Sequence, residues 1–160
     1  MPDSVPGSAA DGATPAVDVA LALHACDTAT DDALAQAVRW GAPVVLASPC
    51  CHHDLQRQMA EAGPPAPYAM VTRHGILRER LGDVLTDAFR AALLRTAGYR
   101  AEVLQFVSAE YTPRNSLLRA VRPGDGGEAG AAQARAELDA MLAEWRVTPH
   151  LQGLLADARG

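Results

Sequence analysis

Lysine is absent from this 160-residue chain, and all 14 basic residues are arginine. Beside so much alanine, that bias reflects base composition rather than a function. Aromatic residues make up only 4%, and Tyr68, Tyr99 and Tyr111 are too scattered to stack successive bases. No apolar run approaches the roughly 18 residues a membrane span needs. The first 16 residues hold no basic segment followed by an apolar one, so they are not expected to be a signal peptide. Cysteines number three, an odd and clustered set that excludes a disulfide framework and points to reduced thiols in a cytoplasmic setting. A net charge of -5 gives no global pull toward nucleic acid or anionic lipid. No glycine-rich loop sits between a strand and a helix, and no internal repeat is visible.

What is present fits one soluble domain with a real core, since apolar residues reach 49%. Residues 1–16 read as a disordered lead-in. Val17 to Leu23 is a nearly continuous apolar run, expected as a strand buried on both faces. Thr28 or Thr30 can cap the helix that follows, with Asp31 and Asp32 at its positive end. Leu34, Ala37 and Val38 give it an apolar stripe, and Gly41 ends it. Pro43 to Ala47 is a second strand. Strand, helix and strand within about 30 residues make a βαβ unit with parallel strands. Asp54 to Ala60 reads as a short helix, and Gly63 to Pro67 forbids regular structure.

The strongest helix runs from about Ile76 to Ala97, with Leu77, Leu81, Val84, Leu85, Ala88, Phe89, Ala92 and Leu93 at helical spacing. Ala101 to Val107 and Ser116 to Val121 are expected as antiparallel neighbours joined by a wide loop. The domain proper spans 17–122, a linker 123–130, and a helical tail 131–160. Leu138, Met141, Leu142 and Trp145 line one side of the tail's first helix, and a second short helix fits His150 to Ala156.

Polar signatures stand where the strands should end. They are His24-Ala25-Cys26-Asp27, Pro49-Cys50-Cys51-His52-His53-Asp54, and Ser108 to Asn115. In open α/β sheets, ligands bind outside the carboxyl ends of the strands. His24 titrates in the range of a general base. The plainer reading has Asp27 and Thr28 capping a helix while His24 bonds the loop. Cys50, Cys51, His52 and His53 offer thiolate and imidazole to a metal. Adjacent residues on an extended chain point opposite ways, however, and no paired Cys-x-x-Cys exists. His24 and Cys26 would complete a site only if the two loops touched, so no metal ligand is assigned. Free thiols packed as small hydrophobes are the alternative. Arg73 and His74, ahead of the long helix, suit a phosphate at a helix N-terminus or simply solvent.

Leu23 to Asp31, Pro49-Cys50-Cys51-His52, Arg73-His74-Gly75-Ile76-Leu77 and Thr112-Pro113-Arg114-Asn115, in this order, resemble a family of S-adenosylmethionine (SAM)-dependent methyltransferase-domain proteins. The Cys-Cys-His-His run is also similar to that of tRNA ribose 2′-O-methyltransferases acting on the acceptor stem. The resemblance covers about Val17 to Val121. It implies an α/β fold, the C-terminal half of a Rossmann-like methyltransferase sheet: strands four to seven, the last antiparallel, with flanking helices. It implies SAM as cofactor, with Leu23, His24 and Ala25 beside it. His24, Asp27, Cys50, Cys51 and His52 would lie near the reacting centre. Arg73, His74, Glu110, Thr112, Arg114 and Asn115 would meet the acceptor, an RNA or a small molecule.

Family members also carry an upstream strand, a Gly-Cys-Gly-Lys-Gly type loop and an acidic residue that hold SAM, and nothing here matches them. The expectation is weak or absent SAM binding by this chain alone. An internal start at Met1, a complementing N-terminal half on another chain, and a non-catalytic remnant or partner subunit all remain open. So does a small Cys/His metal protein. The first strand would then be an exposed edge unless something pairs with it.

Overall fold

The structure, a computed structural model, describes residues 16–108, 110, 115–124 and 128–157. The expected βαβ unit is present: β1 (Val19–Leu23), α1 (Thr28–Arg39) and β2 (Val44–Ser48), with β1 and β2 parallel. Then come α2 (His53–Ala62), a 3-10 turn at Ala66–Tyr68, α3 (Ala69–Thr72) and the long α4 (Gly75–Thr96). The chain returns through β3 (Arg100–Gln105) and β4 (Ser116–Val121), and closes with α5 (Glu128–Trp145) and α6 (His150–Asp157). The four strands form one mixed sheet in the order β1-β2-β4-β3. Because β4 is antiparallel to both β2 and β3, strands β1, β2 and β3 all point the same way. The loops after these three strands therefore leave from one end of the sheet.

The pairing register divides the sheet into two unlike faces. Ala20, Ala22, Val45, Ala47, Leu118, Ala120 and Ala101 lie on one face through aligned pairs, and all of them but the half-buried Ala20 are buried. Helices α1 and α4 pack on this face, and α5 and α6 pack in turn on α4 and α1. Small alanines in the strands let the helices approach closely. Trp145, Leu138, Leu151 and Leu155 bring the last two helices into the same core. Tyr99 ties the end of α4 to the start of β2 by donating its hydroxyl proton to the Ala42 carbonyl at 3.0 Å.

Four sequence expectations change. The strand at Val17 to Leu23 was expected to be buried on both faces. Instead β1 is an edge strand, and Leu21 and Leu23 are 63% and 60% exposed, because no described element covers their side of the sheet. The apolar stripe expected on α4 is also rotated. Val84, Ala88 and Leu77 face outward, whereas Asp87 and Arg90 are buried beside Leu85, Phe89 and Leu93. Apolar periodicity alone could not show that charged side chains take up part of the inner face. Gly63 to Pro67 is not wholly irregular, since a 3-10 turn starts at Ala66; proline is tolerated in a first helical turn, where its missing N–H has no partner to lose. Finally, α5 begins at Glu128, inside the stretch expected as a linker.

Candidate functional site

The loops after β1 and β2 meet. Cys26 Sγ lies 3.0 Å from Cys50 Sγ, and Cys50 Sγ lies 3.9 Å from Cys51 Sγ. The loop touching that the spacing alone left open therefore occurs. The two sulfurs of Cys50 and Cys51 can share a side because they lie outside any strand, in the irregular turn that leads into α2. Cys26 is exposed, while Cys50 and Cys51 are half-buried. Neighbouring thiols push Cys26 up to about 12, chiefly through its hydrogen bond to Cys50 and then through Cys51.

The β1 loop is built by backbone conformations that side-chain-bearing residues rarely adopt. His24 (φ 57°) and Asp27 (φ 52°) both have positive φ. Asp27, with ψ -122°, lies outside the left-handed helical well, in a region that glycine favours, and such backbone strain costs of order 1–3 kcal/mol. Three contacts fix the loop. Thr30 donates its hydroxyl proton to the Ala25 carbonyl at 2.7 Å. Arg90 donates to the Asp27 carbonyl at 2.8 Å. The Asp27 carboxylate accepts the Asp54 backbone N–H through both oxygens at 3.1 Å. Asp27 thus satisfies a free donor in the first turn of α2, not of its own helix α1, and clamps the two cysteine loops together.

Beneath this surface lies a buried polar network that the sequence motifs do not mark. His52 is only 4% exposed. Its Nε2 is 3.0 Å from Asp87 Oδ1, and its Nδ1 is 3.1 Å from Asp83 Oδ1, without hydrogen-bond alignment in the latter case. Ser116 donates to the other Asp87 oxygen at 2.9 Å. Arg90 reaches Asp87 at 3.5 Å and Asp31 at 2.7 Å. Burial pushes the Asp31 carboxyl above its ordinary range, against the pull of Arg90. The network joins the turn after β2, the start of β4, α4 and α1. Asp83, Asp87 and Arg90 are spaced four and three residues apart on α4, one helical face. That charged stripe within an otherwise core-forming helix was the signal available in the sequence.

The remaining site residues are placed as follows. Leu23, His24 and Ala25 form the end of β1 and its loop, with Leu23 and His24 exposed. Arg73 and His74 are exposed at the head of α4. Asp83, beside His52, comes nine positions after His74, so His74 stands about 14 Å along the helix from the level of His52. Asn115 donates to the Val107 carbonyl at 2.9 Å, and Phe106 N–H donates to the Asn115 carbonyl at 3.2 Å, closing the base of the β3–β4 loop. Glu110 is exposed in that loop. Thr112 and Arg114 lie outside the described residues.

A protein-family profile described as "Methyltransferase domain" matches residues 4–58, about a third of the chain. No curated protein and no solved structure matches it. No helix among the described residues is long and apolar enough to cross a membrane. The profile match takes in β1, α1, β2 and all three cysteines, so the segment that builds the thiol cluster and its clamp is the segment that resembles a methyltransferase domain.

Proposed function

We propose that this chain supplies the acceptor side of a SAM-dependent methyltransferase, as the C-terminal part of a Rossmann-like sheet. The observation that carries the reading is the strand arrangement. Three strands end on one side, with a fourth, antiparallel strand inserted as the hairpin return, and the family match falls on its first βαβ unit. SAM would lie against Leu23, His24 and Ala25 at the end of β1. Methyl transfer is an in-line displacement on the sulfonium, so the protein mainly positions the acceptor and removes its proton. His24 is the exposed base at that place, and Asp27 acts through the loop it clamps. Cys50 and Cys51 line the acceptor side. His52 serves from below as a buried brace for the turn.

Arg73 and His74 extend the acceptor surface well away from the sulfur cluster, which suits a long acceptor such as RNA better than a small molecule. The contacts for the methionine and ribose of SAM would come from further sheet docked on the free edge of β1. Calorimetric titration of SAM into the 160-residue chain tests this division of labour: affinity weaker than micromolar is expected, and micromolar binding would show a cofactor site built differently.

A second reading has a specific observation behind it. The bare apolar side of β1 (Val19, Leu21 and Leu23) and its unpaired edge suit a subunit that docks onto a related chain without catalysing anything itself. Recovery of methyl transfer only when the docking partner is present, with no loss on His24→Ala, would favour it.

A further inference from the structure

We propose that Cys26, Cys50 and Cys51 together bind one Zn(II) ion, with its fourth position left to water. This does not rest on the methyltransferase reading, and the two can fail separately. In a tetrahedral site with zinc–sulfur bonds of about 2.3 Å, the sulfurs stand roughly 3.8 Å apart. Here the observed separations are 3.0 and 3.9 Å, and all three sulfurs lie within 4.8 Å of one another. Among the described residues, no fourth His, Cys or acidic group joins the cluster, which makes it an open site of the kind that admits an exogenous ligand.

The three thiols sit on two loops that lead into helices. Cys26 immediately precedes the N-cap residue Asp27 of α1, and Cys51 immediately precedes the N-cap residue His52 of α2. Both loops therefore run directly into the N-terminal ends of helices. The frame is held before any ion arrives, by the Asp27 clamp on Asp54 and by the Thr30 bond to the Ala25 carbonyl. Such support orients ligands in metal sites. In binding, three zinc–sulfur bonds form, three S–H protons pass to solvent, and the ion stays divalent, so no oxidant or reductant is needed.

The test uses the full chain, reduced and treated with a chelator. Co(II) titration is read by absorbance, and Zn(II) affinity by competition with a chromophoric chelator. The expected result is one ion per chain, a thiolate-to-cobalt charge-transfer band, and tetrahedral d–d intensity. Cys26→Ser and Cys50→Ser should each weaken zinc at least ten-fold, while circular dichroism shows the fold intact. Cys26→Ala, on an exposed side chain, repeats the test should Cys50→Ser unfold. Absence of the band in a folded, reduced chain would overturn the proposal. So would a band unchanged by Cys26→Ser, or a Cys26–Cys50 disulfide that persists under reductant.

Discussion

Asp27 and Asp54 are joined by a carboxylate that accepts one backbone N–H through both of its oxygens, each at 3.1 Å. The bond spans the ends of β1 and β2, so one side chain holds both cysteine loops and caps α2. Asp27→Ala should therefore cost about 1 kcal/mol, the usual loss for a helix cap. Asp27→Asn keeps one acceptor and should cost less. Urea unfolding of both variants measures this; equal stability of Asp27→Ala and the parent chain would remove the clamp from the account.

His52 braces the turn from inside. Removing it leaves Asp87 buried with Ser116 and Arg90, and leaves Asp83 with its hydrogen bond from Gln56 at 2.9 Å. His52→Ala should lower stability by about 2 kcal/mol, as expected when one partner of a buried hydrogen bond is deleted and the other is left unpaired. His52→Gln, which can still donate toward Asp87, should recover part of the loss. An exposed catalytic histidine would show neither effect in denaturant titrations.

The contrast between His24 and His52 shows what the sequence could and could not reveal. The βαβ unit, the long helix and the antiparallel return were legible, because strand length, helical period and glycine stops all agree there. The burial of His52 was not, because it depends on Asp83, Asp87 and Arg90 turning inward on α4 where apolar spacing put Val84 and Ala88. The meeting of the three thiols was equally hidden. It depends on positive φ at His24 and Asp27 and on an irregular turn at 49–51, neither of which has a sequence period. The exposed face of β1 was half legible: a free edge was foreseen, but an apolar run cannot say which side is covered.

The stability of Asp31 should run against the usual carboxylate trend. Its ordinary pKa is 3.8, and burial raises it in the folded chain. Between those two values the native state holds a proton that the unfolded state has released, so this group's contribution to stability falls as pH rises through that window. The advantage of the parent chain over Asp31→Asn should be greatest at the acid end and shrink toward neutrality. Denaturant midpoints for the pair across that range check the sign, and an advantage growing with pH would reverse it.

The uncovered side of β1 should make the isolated chain self-associate. Leu21 and Leu23 lie on one face of an edge strand whose outer backbone groups have no strand partner among the described residues, a recognised route to edge-to-edge pairing. Leu21→Glu with Leu23→Glu should keep the fold and reduce association in sedimentation velocity at matched concentration. Unchanged association would place the sticky surface elsewhere.

The central claim is that the end of β1 receives SAM. Amide chemical-shift mapping during a SAM titration of the isotope-labelled 160-residue chain tests it most directly, because it detects weak binding and locates it. The account predicts small, concentration-dependent shifts at Leu23, His24, Ala25 and Asp27, with α5 and α6 unmoved. SAM-dependent shifts that spare those residues and fall elsewhere, on α5 and α6 for example, would contradict it.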